Sequence, residues 1–207
     1  MIEPVIKYFP ELTEKQISQL TELRQIYSFW NSRINVISRK DFENFYLHHV
    51  LHSLSLARII NFTDGTRILD VGTGGGFPGI PLAIMFPGSD FTLIDSIEKK
   101  IKVVQSVILE SGLSNTEAVR RRAEEEKGKY DFIVSRAVTS LPDFVKMTGK
   151  NISDISKNSL KNGIFYLKGG DLMGEPEKIS SKARIWDIRE FFSEPFFETK
   201  KIVYLTF

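Results

Sequence analysis

The residues best suited to chemistry lie in one short run, Asp70-Val71-Gly72-Thr73-Gly74-Gly75-Gly76-Phe77-Pro78-Gly79. Four of the five residues after Val71 are glycine. Glycine accepts positive φ and lets a ligand approach the backbone closely, and a strand-to-helix loop aims amide groups at that ligand. A tight turn alone would need a single glycine, so this density points to a ligand loop. A dinucleotide fingerprint places a third glycine where Phe77 stands. Asp70, two residues before Gly72, would repel a pyrophosphate but would welcome a ligand with a positive centre. S-adenosylmethionine carries both a sulfonium and an α-ammonium. Asp70, Gly72, Gly74, Gly76 and Phe77 are therefore the first candidates for cofactor binding.

Two acids extend the site. Asp95 follows Gly72 by 23 residues, at the end of the next strand, where a carboxylate can accept from both hydroxyls of a ribose. That contact would serve NAD equally well, and an N-cap for the helix beginning near Ile97 is the ordinary competitor. Ala123-Glu124 follows the third strand, where an adenine edge would lie: a backbone amide can donate to the ring and a carboxylate can accept from the exocyclic amine. On residue type alone, Glu124-Glu125-Glu126 reads more simply as a solvated acidic helix start.

The elements that must hold these residues divide the chain in two. Over residues 1–62 apolar residues recur at helical spacing, including Leu20, Leu23, Tyr27, Trp30, Phe45, Val50, Leu51 and Leu54, and Thr13 with Gln16 forms a capping box. This predicts a helical extension, with a connection over 31–41. Residues 63–207 alternate short β-rich runs with helical ones: strands over 67–71, 91–95, 116–119, 130–135 and 163–168, and helices over 78–86, 97–112 and 141–149. A weak helix is expected over 175–181 and two final strands over 184–192 and 201–207. The pattern predicts a doubly wound, mostly parallel α/β sheet ending in an antiparallel hairpin.

Composition bounds the rest. The chain has 207 residues, of which 42% are hydrophobic and 26% charged, with 28 Lys and Arg against 26 Asp and Glu. This is a folded composition and not a polybasic one. The absence of cysteine excludes a disulfide scaffold, a cysteine nucleophile and thiolate metal sites. His48 and His52 lie four apart, but no acid or third ligand is near in sequence, so no metal is expected. No run approaches the ~20 apolar residues of a membrane span. A soluble cytoplasmic chain, monomeric because nothing demands a dimer, is the expectation.

The run from Asp70 through Gly79 and on to Ile80-Pro81-Leu82-Ala83 resembles the RsmG (GidB) family of bacterial 16S rRNA guanine-N7 methyltransferases. Further matches follow in order: Trp30-Asn31 with Asn35, His49 with Ser53, Leu93-Ile94-Asp95-Ser96 with Lys100, Arg122-Ala123-Glu124-Glu125, Ser135-Arg136-Ala137 with Leu141, and Tyr166-Leu167-Lys168-Gly169. The resemblance implies a class I S-adenosylmethionine-dependent methyltransferase fold (Rossmann-like) with an N-terminal helical extension. It implies S-adenosylmethionine as cofactor and, as substrate, one guanine of the decoding-centre loop in 16S rRNA or the small ribosomal subunit. It places Gly72, Phe77, Ala123, Glu124 and Arg136 at the cofactor, and Arg122 and Lys168 nearer the RNA. Ile37 and His52 depart from the family pattern, where threonine and aspartate are usual; both lie in the extension.

Guanine N7 has a free lone pair and no proton, so methylation there needs no general base and depends on positioning. Arg136 and Lys168 are the catalytic candidates. A guanidinium fork at Arg136 suits either the cofactor carboxylate or an RNA phosphate. Lys168, ending the fifth strand, is expected toward the same crevice. Among Arg120-Arg121-Arg122, strand alternation would turn only one or two inward. A nicotinamide-dependent oxidoreductase and a non-catalytic RNA-binding or assembly protein are the competing readings; Asp70 and Phe77 oppose the first and the intact loop the second.

Overall fold

The structure is a computed structural model that describes residues 1–136, 139–170 and 183–206. Helix α1 spans Glu3–Tyr8 and α2 spans Glu14–Asn31. Thr13 caps α2: its hydroxyl accepts from the Gln16 amide, and the Gln16 side chain accepts from the Thr13 amide at 2.9 Å. A loop follows, then a wide π-helical stretch over Phe45–Leu51 that runs on through the single turn α3, His52–Leu54.

From Arg67 the chain alternates β1 (Arg67–Val71), α4 (Gly79–Met85), β2 (Asp90–Asp95), α5 (Glu98–Glu110), β3 (Thr116–Arg120), β4 (Phe132–Arg136), α6 (Leu141–Thr148) and β5 (Gly163–Gly169). Strands β6 (Ala183–Asp187) and β7 (Lys200–Thr206) complete the sheet. Its order is β3-β2-β1-β4-β5-β7-β6. The first five strands pair in parallel. Strand β7 lies antiparallel between β5 and β6. The alternation and the closing antiparallel pair are as the sequence predicts.

The period of two along each strand sorts the core. Ile68, Phe91, Leu93, Phe132, Val134, Phe165 and Leu167 face the extension, α4 and α5 in one apolar cluster. Leu69, Val71, Ile94, Ile133, Ile164 and Tyr166 face α6 in another. Because both faces are covered, the central strands read as nearly unbroken apolar runs. The extension shares the first cluster, so it and the sheet cover one another's apolar residues.

One expectation changes. The strand expected over 184–192 stops at Asp187, and Ile188–Glu190 turns as a 3-10 helix. Ile188 and Phe192 are both buried, and a spacing of four suits a helical turn rather than a strand. Past Thr148 the chain turns as a 3-10 helix over Gly149–Asn151, and the polar stretch after it is held by the Asn162 amide, which donates to the carbonyls of Ser153 and Ile155. The helix expected over 175–181 lies outside the described residues, as do Ala137 and Phe207.

Side chains from α2 satisfy the open ends of two sheet-covering helices. Gln16 donates to the carbonyls of Ile84 and Met85 at the end of α4, and Gln19 to that of Ser111 after α5. The Trp30 indole donates to Glu110. Gln16→Ala removes both its capping-box bond and the partner of two carbonyls. It should destabilise the fold by about 1–3 kcal/mol, seen as a lower denaturation midpoint with an unchanged denaturant slope; an unaltered midpoint would remove Gln16 from the docking of the extension.

Candidate active site

The carboxyl ends of β1, β2 and β4 open into one cavity of about 500 Å3, within the range of small-molecule sites. The position is the one at which open α/β sheets bind ligands, where the strand order reverses beside β1. Its wall includes Val71, Gly72, Thr73, Gly74, Gly75 and Phe77 from the loop after β1, Ile94 to Ile97 from the end of β2, Arg121 to Glu124 after β3, and Arg136 at the end of β4. Of the predicted cofactor residues, Gly72, Gly74, Phe77, Asp95, Ala123, Glu124 and Arg136 line it, together with the predicted RNA contact Arg122.

Asp95 is 8% exposed, and its two carboxylate oxygens reach different elements. One accepts from the Gly74 amide at 3.0 Å and the other from the Ile97 amide at 2.8 Å. The acid thus ties the glycine loop to the start of α5, and each oxygen retains lone-pair capacity toward the cavity. The N-cap of α5 is Ile97 and not Asp95, whose bond to the Ile97 amide precedes the helix and leaves the ribose reading open. Gly74 has φ +59, a conformation that side chains disfavour, and a Cβ there would meet only the Gly72 carbonyl at 3.9 Å. Its freedom serves the turn and the close approach of a ligand.

Asp70 and Gly76 stand elsewhere. Val71 faces the cavity, so alternation along β1 sends the Asp70 side chain to the other face of the sheet, beneath the loop. There it is fully buried; one oxygen accepts from the Thr73 hydroxyl at 2.6 Å and from the Gly79 amide at 2.8 Å. It braces the loop and does not contact the cavity. Burial pushes its carboxyl up to about 7, against these two bonds, which favour the charge. Gly76 is turned toward α2: a Cβ there would lie 2.7 Å from Ile80 and 2.9 Å from the Tyr27 hydroxyl. It has φ +94, leaves no room for a Cβ, and is not among the residues lining the cavity.

Lys168, at the end of β5, is not among the residues lining the cavity. Of the three consecutive arginines, Arg121 and Arg122 reach the wall, as alternation with a turn allows, while Arg120 lies near Glu98 at 3.6 Å. Arg121 is bound to Glu126, whereas Arg122 stands at the rim.

The extension supplies parts of the site that its helical spacing assigns only to its own core. The Tyr27 hydroxyl, fully buried, donates to the Gly75 carbonyl at 2.5 Å, and its ring packs on Phe77 at 5.1 Å. Val36 presses on Gly75 and lines the cavity. Arg136 donates to the His48 carbonyl at 3.2 Å and to His49 Nδ1 at 3.1 Å, and lies over the Phe77 ring at 5.3 Å. Lys100 of α5 and Met147 of α6 also reach the wall. Nothing in helical periodicity distinguishes a Tyr27 that braces a loop from one that fills a core; only the distant pairing does. Although no acid neighbours the histidines in sequence, Asp41 bonds both His48 and His49 in space. No group of three metal-ligating side chains forms among the described residues.

Among the described residues no carboxylate pairs with the Arg136 guanidinium, whose charge burial disfavours. A half-buried cation whose hydrogen bonds here go to neutral acceptors, with Asp70 and Asp41 acting on it only as nearby charges, is suited to receive an anion from the cavity.

Sheet order, glycine loop and acid at the end of β2 together define an S-adenosylmethionine-dependent methyltransferase of the class I fold. Solved structures share that fold. TrmN from Thermus thermophilus superposes with a TM-score of 0.54 at 18% identity, over 73% of this chain and 46% of that longer one. The ribosomal protein L11 methylase of Lactobacillus delbrueckii subsp. bulgaricus superposes with 0.53 at 15% identity, over 75% and 76%. The family described as GidB, rRNA small subunit methyltransferase G, matches residues 16–191. The ribosomal RNA small subunit methyltransferase G of Phocaeicola vulgatus is 53% identical over 205 residues, 99% of this chain and 98% of that one. Its counterpart in Flavobacterium psychrophilum is 55% identical over 204 residues, 99% and 97%. The chain belongs to this family of rRNA methyltransferases.

The elevated Asp70 pKa has a measurable consequence. Folded Asp70 holds a proton that the unfolded chain, with an ordinary value of 3.8, releases. The native state binds more protons between those limits, so stability falls as pH rises from about 4 to about 7. Asp70→Asn removes this loss. The variant's unfolding free energy minus that of the wild type should rise across the window and level off above it. Denaturant titrations across that range would read it, and a pH-independent difference would exclude a buried proton at Asp70.

Proposed function

We propose that this chain methylates N7 of a guanine in 16S rRNA, with S-adenosylmethionine held in the cavity beside the glycine loop. The Arg136 cation, without a carboxylate partner among the described residues, carries the reading of the cavity. A cavity of about 500 Å3 walled by a glycine loop, a carboxylate and this guanidinium suits a nucleoside joined to an amino acid. Arg136 takes the amino-acid carboxylate, and Asp95 accepts from the ribose hydroxyls. Ala123, Glu124, Ile97 and Met147 enclose the base. Gly72 and Gly74 keep the floor clear of side chains.

When bound, this cofactor supplies a methyl group made electrophilic by its sulfonium. The residues of this chain then have only to place and enclose the reactants. Guanine N7 has no proton to lose, so no side chain must act as base. Precise alignment alone can lower a barrier by ~7–11 kcal/mol. Phe77, whose ring is fixed by Tyr27 and Phe45, gives the loop a rigid apolar side. Arg122 at the rim, and Lys168 beyond the cavity wall, are assigned to RNA phosphates. Such an enzyme works in the cytoplasm, where its RNA is, as a monomer.

The test uses labelled S-adenosylmethionine and undermodified small subunits or their RNA, followed by chemical cleavage at 7-methylguanine. One labelled guanine is expected. RNA binding without transfer to any substrate form would favour an assembly protein, and label at another atom would move the chemistry away from N7. Asp95→Ala should weaken cofactor binding at least tenfold in calorimetry, about 1.4 kcal/mol, and an unchanged dissociation constant would remove the ribose contact.

A further inference from the structure

All three histidines of the chain, His48, His49 and His52, fall in one helical segment of the extension. Of the three, His49 joins the extension to Arg136 through its ring. It is 8% exposed, with Nε2 2.7 Å from an Asp41 carboxylate oxygen and Nδ1 3.1 Å from the Arg136 guanidinium. Both neighbours have fixed roles. A guanidinium can only donate, and a carboxylate can only accept. His49 must therefore carry its proton on Nε2 and its lone pair on Nδ1. The other oxygen of Asp41 is occupied by His48, whose ring stacks on Phe196 at 3.7 Å, so the acid is itself anchored.

We propose that His49, oriented by Asp41, is a positioning residue that aims the Arg136 guanidinium at the anion the cavity receives. The idea rests on the reading of Arg136 as the holder of the cofactor carboxylate. Arg136 leaves β4 on a long side chain whose rotamers the strand does not fix. Two neutral acceptors on the extension, the His48 carbonyl and His49 Nδ1, hold it without neutralising it. An acid in place of His49 would pair with the guanidinium and compete with the ligand. A neutral imidazole directs the fork and leaves its charge available. Burial and the nearby Arg136 charge push His49 down to about 4, so the imidazole stays neutral in working conditions. The role gives the extension a part in cofactor binding.

The test compares two ligands that differ at the amino-acid end. S-adenosylhomocysteine has the carboxylate; 5′-methylthioadenosine lacks it. Calorimetric dissociation constants are measured for wild type, Arg136→Ala, His49→Ala and His49→Asn. Arg136→Ala should weaken S-adenosylhomocysteine about a hundredfold and methylthioadenosine less than twofold. His49→Ala should weaken the first about tenfold and spare the second, whose retained affinity reports an intact fold. His49→Asn, which can turn an amide oxygen toward Arg136, should recover to within about threefold of wild type. Discrimination in Arg136→Ala without discrimination in His49→Ala overturns the positioning role alone. Equal weakening of both ligands in His49→Ala, or no recovery in His49→Asn, also overturns it. No discrimination in Arg136→Ala overturns the carboxylate reading and this role together.

Discussion

The site depends on a glycine loop being held from outside, and one buried hold is the hydrogen bond from the Tyr27 hydroxyl to the Gly75 carbonyl. A loop of four glycines has little of its own to fix it: glycine loses more conformational freedom on folding than any other residue. The backbone must be held from outside, and the hold is applied from three directions. Tyr27 grips the loop's carbonyl side, Asp70 binds Thr73 and the Gly79 amide from below, and Asp95 takes the Gly74 amide from the cavity. The Tyr27 and Asp70 bonds are buried, so leaving either unmade would strand a polar group in an apolar setting at a cost of about 1–3 kcal/mol.

The same arrangement explains why the extension is built into the core. Tyr27, Phe45, His49 and Phe77 form a continuous aromatic contact from α2 to the cavity wall. The sheet alone could present the loop, but it could neither close the loop's outer side nor aim Arg136. Residues far apart in sequence thereby act together. The extension supplies the buttress, and the strand ends supply the polar groups. Transfer to an atom that already bears a lone pair needs such rigidity more than it needs acid–base groups.

Much of this was legible in the residues. The capping box at Thr13, the strand–helix alternation and the antiparallel end follow from local pattern, because period and propensity report directly on local geometry. The glycine loop and Asp95 lie where a strand must end, so the cavity's floor and one of its acids could be read. Asp70 illustrates the limit. Its position beside the loop is plain, but alternation places its carboxylate behind the loop, where it serves as a brace. Gly76 is similar, since its neighbours Tyr27 and Ile80 decide its role. Lys168 ends the right strand yet stands outside the wall. The contributions of Tyr27, Val36 and His49 were not legible at all, because helical spacing marks which residues are buried and not which distant loop they bury against. The hairpin's edge was overextended because Ile188 and Phe192 are apolar at a spacing that suits a turn.

Strand β7 is the strand partner of both β5 and β6, running against each. The outermost strand is thus attached to the sheet by a single neighbour. Local opening at this edge has an obligatory order: β6 can peel away alone, but β7 cannot leave without releasing it. An edge attached in this way is suited to open as a unit of its own, and it lies on the far side of β5 from the glycine loop. Breathing there can proceed while the three braces on the loop remain closed.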